Sequence, residues 1–244
     1  MKKEKWIEIA MTVILLFAAI LLSEKAAVKV MKIQEERAVE ESVSEDAAKS
    51  REEQTVIVVD CGHGGADPGK VGINDALEKD INLAIGLKLK KMLEENGIKV
   101  IMTRETDMGL YSEDSDSKKT QDMKRRCALI DETMPVFTVS IHQNSYHEEY
   151  VRGAQVFYYS HSEEGKKLAE ILQTKLIEGL DPKNTRKPKA NDSYYLLVHT
   201  KSPTVIVECG FLSNREEADL LTQDAYQEKA AQAVLAGIKA YLDN

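Results

Sequence analysis

The sequence is poor in the residues that mark several classes of protein. It has only three cysteines, and an odd count argues against a disulfide framework, so we expect all three to be small buried residues. It has no basic excess: the formal net charge is −8 and no dense basic stripe is present, which argues against a nucleic-acid partner. It has no internal repeat and no His-Glu-x-x-His helix, so any metal ligands must come from distant parts of the chain.

Glycine, proline and aromatic residues are missing from residues 24–54, where charged side chains outnumber large apolar ones. Such a segment cannot bury much surface, and we interpret it as a charged stalk. Before it, a basic start precedes an uncharged apolar run at 9–22, the pattern of an export signal. Residues 1–23 are therefore predicted to be a signal peptide or an uncleaved signal anchor. The protein should be extracytoplasmic, either secreted or attached to the membrane through this segment.

From residue 55 onward, short apolar runs alternate with segments of helical spacing. Strands are predicted at 56–60, 99–103, 136–141, 154–159, 194–198 and 205–209, and helices at 80–96, 123–132, 163–180, 215–222 and 225–242. This alternation predicts a single α/β domain over 55–244 with a mostly parallel sheet. In such sheets ligands bind at the carboxyl ends of the strands.

Two of the five histidines lie at predicted strand ends, His63 in Cys-Gly-His-Gly-Gly and His142 in Ser-Ile-His-Gln-Asn-Ser. Two histidines and one carboxylate are a common catalytic zinc set, which leaves a fourth position for water. The carboxylate candidates are Asp60, Asp67, Glu78, Asp80 and Glu208. Glu208 follows an apolar run, where a charge is costly unless it is paired or faces a metal, so a functional role is favoured. Asp80 is predicted to cap a helix that begins there.

The residues alone leave other interpretations open. A single histidine at a strand end is more often structural than a ligand. Cys61 lies two residues from His63, which would also suit a cysteine hydrolase or a joint zinc site. Neighbours that close in sequence usually point apart, however, and no third group that would orient the histidine is evident.

Four blocks of residues follow one another along 55–244. They are Gly62-His63-Gly64-Gly65-x-Asp67-Pro68-Gly69, Leu77-Glu78-Lys79-Asp80, Ser140-Ile141-His142-x-Asn144 and Val207-Glu208-x-Gly210-Phe211-Leu212-Ser213-Asn214. Together they resemble the N-acetylmuramoyl-L-alanine amidase family, the amidase-3 group of zinc enzymes. No single block is specific, but their combination and order are.

The resemblance implies a zinc ion bound by His63, Glu78 and His142, with Glu208 as the catalytic glutamate. It implies a twisted sheet between helices, and peptidoglycan as the substrate. The bond cut would join N-acetylmuramic acid to the L-alanine of the stem peptide. In that mechanism Glu208 takes a proton from a zinc-bound water as the water attacks the amide carbonyl.

Further matches, among them Asn184-Thr185-Arg186-Lys187, resemble the germination-specific branch of the family, which belongs to the spore cortex. We therefore expect a role in cortex maturation or germination, and we keep open a protein partner that activates the enzyme. The alternatives are a vegetative cell-wall amidase, another zinc peptidase of the stem peptide and a non-catalytic wall-binding module.

Two arginines, Arg104 and Arg126, match recurrent arginines of the family whose role is either structural or substrate-facing.

The sequence also departs from the family pattern in places that bear on the shape of the cleft and remove no ligand. These positions are Cys61, Gln143, Ser145 and Cys209.

Overall fold

The structure, a computed structural model, describes residues 55–244, so the predicted signal or anchor at 1–23 and the stalk at 24–54 lie outside the described residues. The strands are β1 (Val56–Cys61), β2 (Lys99–Met102), β3 (Thr138–Asn144), β4 (Gln155–Tyr158), β5 (Lys189–Ala190) and β6 (Thr204–Phe211). The helices are α1 (Glu78–Glu95), α2 (Lys118–Thr133), α3 (Glu163–Gly179), α4 (Tyr195–His199), α5 (Arg215–Leu221) and α6 (Asp224–Leu242). None of the helices in 55–244 combines the length and the apolarity needed to cross a membrane.

The six strands form one sheet in the order β2-β1-β3-β6-β4-β5. The four strands from β2 to β6 are parallel, β4 runs antiparallel to β6, and β5 runs parallel to β4. This confirms the predicted α/β domain with a mostly parallel sheet. Because β1, β3 and β6 run in the same direction, the residues at their carboxyl ends meet at one edge of the sheet.

Apolar side chains cover both faces of the sheet, as expected for parallel strands with helices on each side. Ile57 and Val59 of β1 point into a large core formed with α1, α3 and α6. Val58, between them, points to the opposite face, where it packs with residues of α2 and α4. Period-two alternation along the strand therefore assigns each face of the sheet its own helices.

Most of the segment 194–198, predicted as a strand, instead belongs to the short helix α4, which Tyr194 precedes. A short apolar run has no periodicity that distinguishes a strand from a buried helix. The helical turn lets Leu196 pack with α2 while its neighbour Leu197 packs with Phe157 and Ile206 of the sheet. In a strand, two successive side chains would point to opposite faces.

Three smaller predictions also need correction. Helix α2 begins at Lys118, five residues before the predicted start at 123, and the two-residue strand β5 was missed. Asp80 does not cap α1: the helix begins at Glu78 after Leu77, and Asp80 lies exposed in its first turn. A carboxylate there still interacts favourably with the amino-terminal end of the helix dipole.

Candidate metal centre

His63 lies in the glycine-rich loop after β1, with its backbone in the left-handed region at φ 63°. That conformation is uncommon for a residue other than glycine and needs support from neighbours. The Arg126 guanidinium donates a 2.7 Å hydrogen bond to the His63 carbonyl. The His63 Nδ1 atom lies 3.0 Å from Asp67 Oδ2, which leaves Nε2 facing the cleft. Asp67, which the sequence offered only as a candidate, therefore orients the imidazole.

Glu78, the first residue of α1, presents its carboxylate to both histidines. Its Oε2 atom lies 3.2 Å from His63 Nε2, and its Oε1 atom lies 2.9 Å from His142 Nδ1. The backbone amides of Lys70 and Gln143 donate to the same two oxygens. Burial would raise the pKa of Glu78, but the hydrogen bonds from the two histidines outweigh it and hold that pKa well below its usual range. The carboxylate is therefore charged at neutral pH.

One potential ligand atom from each of His63, Glu78 and His142 lies within 4.8 Å of the others. A tetrahedral zinc ion with bonds of about 2.0–2.2 Å needs ligand atoms roughly 3.3 Å apart, close to the distances between Glu78 and the two rings. Two glycines make room for this approach. A Cβ on Gly62 would lie 2.2 Å from the His142 ring, and one on Gly69 would lie 2.6 Å from Glu78 Oε2. The donor set and its packing thus fit a catalytic zinc site.

Glu208 lies on β6 directly opposite His142 of β3, so both side chains point to the same face of the sheet. Its side chain is almost fully buried, and Oε2 has no hydrogen-bond partner among residues 55–244. Burial raises the pKa of Glu208 to about 7, with His142 opposing and Glu78 adding to the increase. A buried carboxylate with an unpaired oxygen is costly, so its retention beside the histidines points to a proton-transfer role.

These residues open onto a cleft of about 540 Å³. Its walls come from α2, from the residues after β3 and from the segment that leads into α4. They include Lys70, Met123, Asn144, Tyr194, Tyr195, Leu196 and Ile206. The two tyrosines were missed as cleft residues because no local pattern indicates that this segment folds over the site as a helix.

The two recurrent arginines have a structural role. Arg104 donates hydrogen bonds of 2.9 Å and 3.1 Å to the carbonyls of Cys61 and Gly62, and a third to Lys79. Arg126 is fully buried and forms an ion pair of 2.7 Å with Asp60, the remaining carboxylate candidate. Both side chains therefore fix the backbone of the loop that carries His63.

Cys61 does not belong to the site. Its thiol packs against Gly86 of α1 in the large core, on the opposite face of the sheet from the histidines. Burial raises its pKa to about 12, so it is a neutral thiol under physiological conditions. This argues against both the cysteine-hydrolase interpretation and a joint zinc site. All three cysteines are free and buried, as predicted.

Comparison with known proteins agrees with this geometry. Residues 57–240 match the family described as N-acetylmuramoyl-L-alanine amidase. The germination-specific N-acetylmuramoyl-L-alanine amidase of Bacillus subtilis is 38% identical over 189 residues, which cover 76% of this chain and 79% of that protein. The structure of the CwlD amidase from Clostridioides difficile, solved with the GerS lipoprotein, superimposes with a TM-score of 0.76 at 41% identity, covering 78% of this chain and 99% of that one. The amidase AmiC2 of Nostoc punctiforme gives a TM-score of 0.67 at 30% identity over 78% and 98% of the two chains.

Proposed function

The chain belongs to the N-acetylmuramoyl-L-alanine amidase family, and we propose that its activity on peptidoglycan depends on a zinc ion held by His63, Glu78 and His142, with Glu208 as the catalytic base. One observation carries the proposal. Three ligand atoms lie within 4.8 Å of one another in the cleft that is also lined by Glu208, a buried carboxylate whose Oε2 atom has no hydrogen-bond partner among residues 55–244. A buried oxygen without a partner is costly, so its retention beside this ligand set supports the role of Glu208 as a base.

When bound, zinc supplies a water of lowered pKa and a Lewis acid for the amide oxygen. The protein's own residues do the rest. Glu208 accepts the proton of the attacking water and delivers it to the amide nitrogen, which leaves as the amino terminus of L-alanine. Burial raises the pKa of Glu208 above its usual range, which suits a carboxyl group that must both take up and give up a proton. Asp67 holds the His63 ring in the orientation that turns Nε2 toward the cleft.

The substrate that we propose is the peptidoglycan of the spore cortex, with a role in cortex maturation or germination. The similarity to the germination-specific amidase of Bacillus subtilis supports this choice. Because the related CwlD amidase was solved with the GerS lipoprotein, we also propose that this chain is activated by a protein partner. We place the catalytic domain, at 55–244, outside the cytoplasm, joined by the stalk at 24–54 to a signal or anchor at 1–23.

Digestion of purified cortex and vegetative sacculi by the zinc-loaded protein tests the proposal. Mass analysis should find intact muramic acid and stem peptides with a free L-alanine amino terminus, and more of both from cortex. A chelator should abolish these products, and added zinc should restore them. New amino termini within the stem peptide would instead indicate a peptidase. Binding to sacculi without any product, by a zinc-loaded protein, would indicate a wall-binding module.

A further inference from the structure

A second groove, of about 770 Å³, lies around the amino-terminal end of β4 and the loop before β5. Its charged residues include Arg152, Arg186 and Glu216. Arg152 is neutralised by ion pairs with Glu216 and Asp181. Arg186 has no carboxylate within ion-pair distance among residues 55–244. Its charge also acts on the buried Glu217, but the oxygens of that carboxylate already accept hydrogen bonds from the Gly153 and Phe211 amides, so the Arg186 side chain can still pair with a ligand.

The groove and the catalytic cleft share one face of the sheet. On β4, Gln155 is the partner of Glu208 on β6, so their side chains point the same way with Cβ atoms about 5 Å apart. Farther along, a bulge in β6 matches the two-residue step in β3 from His142 to Asn144 with a three-residue step in β6 from Glu208 to Phe211. The extra residue reverses the alternation, so Phe211 also points to the face that carries the histidines.

Gln155 and Phe211 both hold the Arg186 side chain in place. Its Nη1 atom donates a 3.2 Å hydrogen bond to Gln155 Oε1, and its guanidinium carbon lies 4.6 Å from the centre of the Phe211 ring. Its Nε atom donates to the Arg152 carbonyl at 2.7 Å. Nη2 makes no hydrogen bond to another residue in the described part of the chain. A planar guanidinium held over a ring, with donors still free, is preorganised for a carboxylate.

We propose that Arg186 is a substrate-binding residue that recognises a carboxylate of the stem peptide, on the peptide side of the bond that is cut. The inference rests on the proposed amidase chemistry at Glu208. The amide consumes the lactyl carboxyl group of muramic acid and the glycan sugars are neutral, so free carboxylates occur only in the peptide. The first of them belongs to the acidic residue after L-alanine.

The distances are compatible with that assignment. In an extended peptide, the carboxylate of the residue after L-alanine lies about 7 Å from the scissile nitrogen, two residue rises away. Gln155 is the strand partner of Glu208, and its side-chain oxygen accepts from Arg186. The Arg186 guanidinium therefore lies on the order of 10 Å from the Glu208 carboxyl group. Arg186 therefore selects for the charge on the leaving peptide and takes no part in the bond cleavage.

The test compares two muropeptides that differ only in whether this carboxylate is free or converted to the amide. With the full-length, zinc-loaded protein, kcat/KM should be about 10–100-fold higher for the free acid, the usual effect of hydrogen bonds to a charged group. Arg186→Gln should remove most of that preference, mainly through KM, because the contact exists equally in ground and transition states. Lys187→Gln, which removes the same charge from the adjacent exposed residue, should keep the preference.

Binding of the released peptide, measured by calorimetry, provides a readout independent of turnover. Wild-type protein should bind the free-acid peptide more tightly than the amidated one, and Arg186→Gln should bind both alike. Arg186 is structural and the proposal is wrong if two results are found together. Arg186→Gln lowers activity on both muropeptides by the same factor, and the wild-type protein binds the two peptides equally. If the wild type cleaves neither muropeptide but discriminates between the peptides through Arg186, the subsite stands and the proposed amidase chemistry fails.

Discussion

Two glutamates of the site, Glu78 and Glu208, show how position alone gives the same side chain opposite properties. Glu78 receives hydrogen bonds from two histidines and two backbone amides, which lower its pKa. Glu208 is buried, one of its oxygens has no hydrogen-bond partner within 55–244, and burial raises its pKa to about 7. The first is therefore suited to bind a cation, and the second to move a proton.

Glu208→Gln should retain zinc and the fold but lose turnover. Glutamine keeps the shape of the side chain and cannot accept a proton, so kcat should fall by about 10²–10⁴-fold. Glu78→Ala should differ, because two histidines alone make a poor zinc site, and it should lose metal together with activity. Zinc content, melting temperature and kcat measured on one preparation distinguish the two. Near-normal kcat in a folded, zinc-loaded Glu208→Gln protein would contradict the role assigned to Glu208.

Among the elements, β1 and α2 are joined by a buried ion pair that supports the ligand loop. Arg126 of α2 and Asp60 of β1 are each only 1% exposed. Arg126 also donates to the carbonyls of Cys61 and His63. Burial would raise the pKa of Asp60, but the Arg126 charge and hydrogen bonds from Ser140 and Thr103 outweigh it and lower that pKa to about 2. The helix thereby fixes the loop that carries the first histidine.

Asp60→Asn should lower the free energy of unfolding at pH 7 by about 2–3 kcal/mol, because the buried Arg126 would lose its charged hydrogen bond to Asp60 and keep only the ion pair with Asp122. The pH dependence follows from the direction of the shift. The pKa of Asp60 is lower in the folded than in the unfolded state. Its charge therefore contributes fully to stability above about pH 4, and that stabilisation is lost as the pH falls toward 2. The difference in the free energy of unfolding between Asp60→Asn and the wild type, measured by urea unfolding, should therefore narrow by about 2 kcal/mol over that range.

Glu113→Gln is the matched control, because Glu113 pairs with Lys118 at the surface with its side chain 84% exposed. Solvent screens such a pair, so this variant should unfold like the wild type at each pH. An Asp60→Asn protein whose deficit stays constant from pH 5 to pH 2.5 would show that the Asp60 charge does not stabilise the fold.

At the scale of the whole molecule, residues 55–244 form an α/β domain with helices on both faces of one sheet. Their apolar clusters are formed within the described range, and the candidate metal ligands and Glu208 lie there too. In the comparison with the CwlD amidase, the structural similarity covers 78% of this chain, which is close to the share that residues 55–244 make up. Binding and hydrolysis are therefore expected to reside in this part of the chain.

A fragment of residues 55–244 should be soluble, folded by circular dichroism and as active as the full chain on soluble muropeptides. Residues 24–54 have too few large apolar side chains to add to a core. The full chain should sediment with membranes if 1–23 is an uncleaved anchor, and the fragment should stay in the supernatant. An insoluble or unfolded fragment would show that the domain begins before residue 55.

The sequence by itself determined the α/β class, the buried cysteines and the positions of His63, His142 and Glu208 near strand ends, because periodicity and glycine placement are local properties of the chain. Its residues alone left five carboxylates as candidates, and only the resemblance to amidases singled out Glu78. Tertiary structure decided that α4 is a helix over the cleft, that Arg104 and Arg126 are structural, and that the β6 bulge turns Phe211 to the sheet face of His142, where its ring packs against Arg186. Those features depend on register and burial between residues far apart in the chain, which no local pattern records.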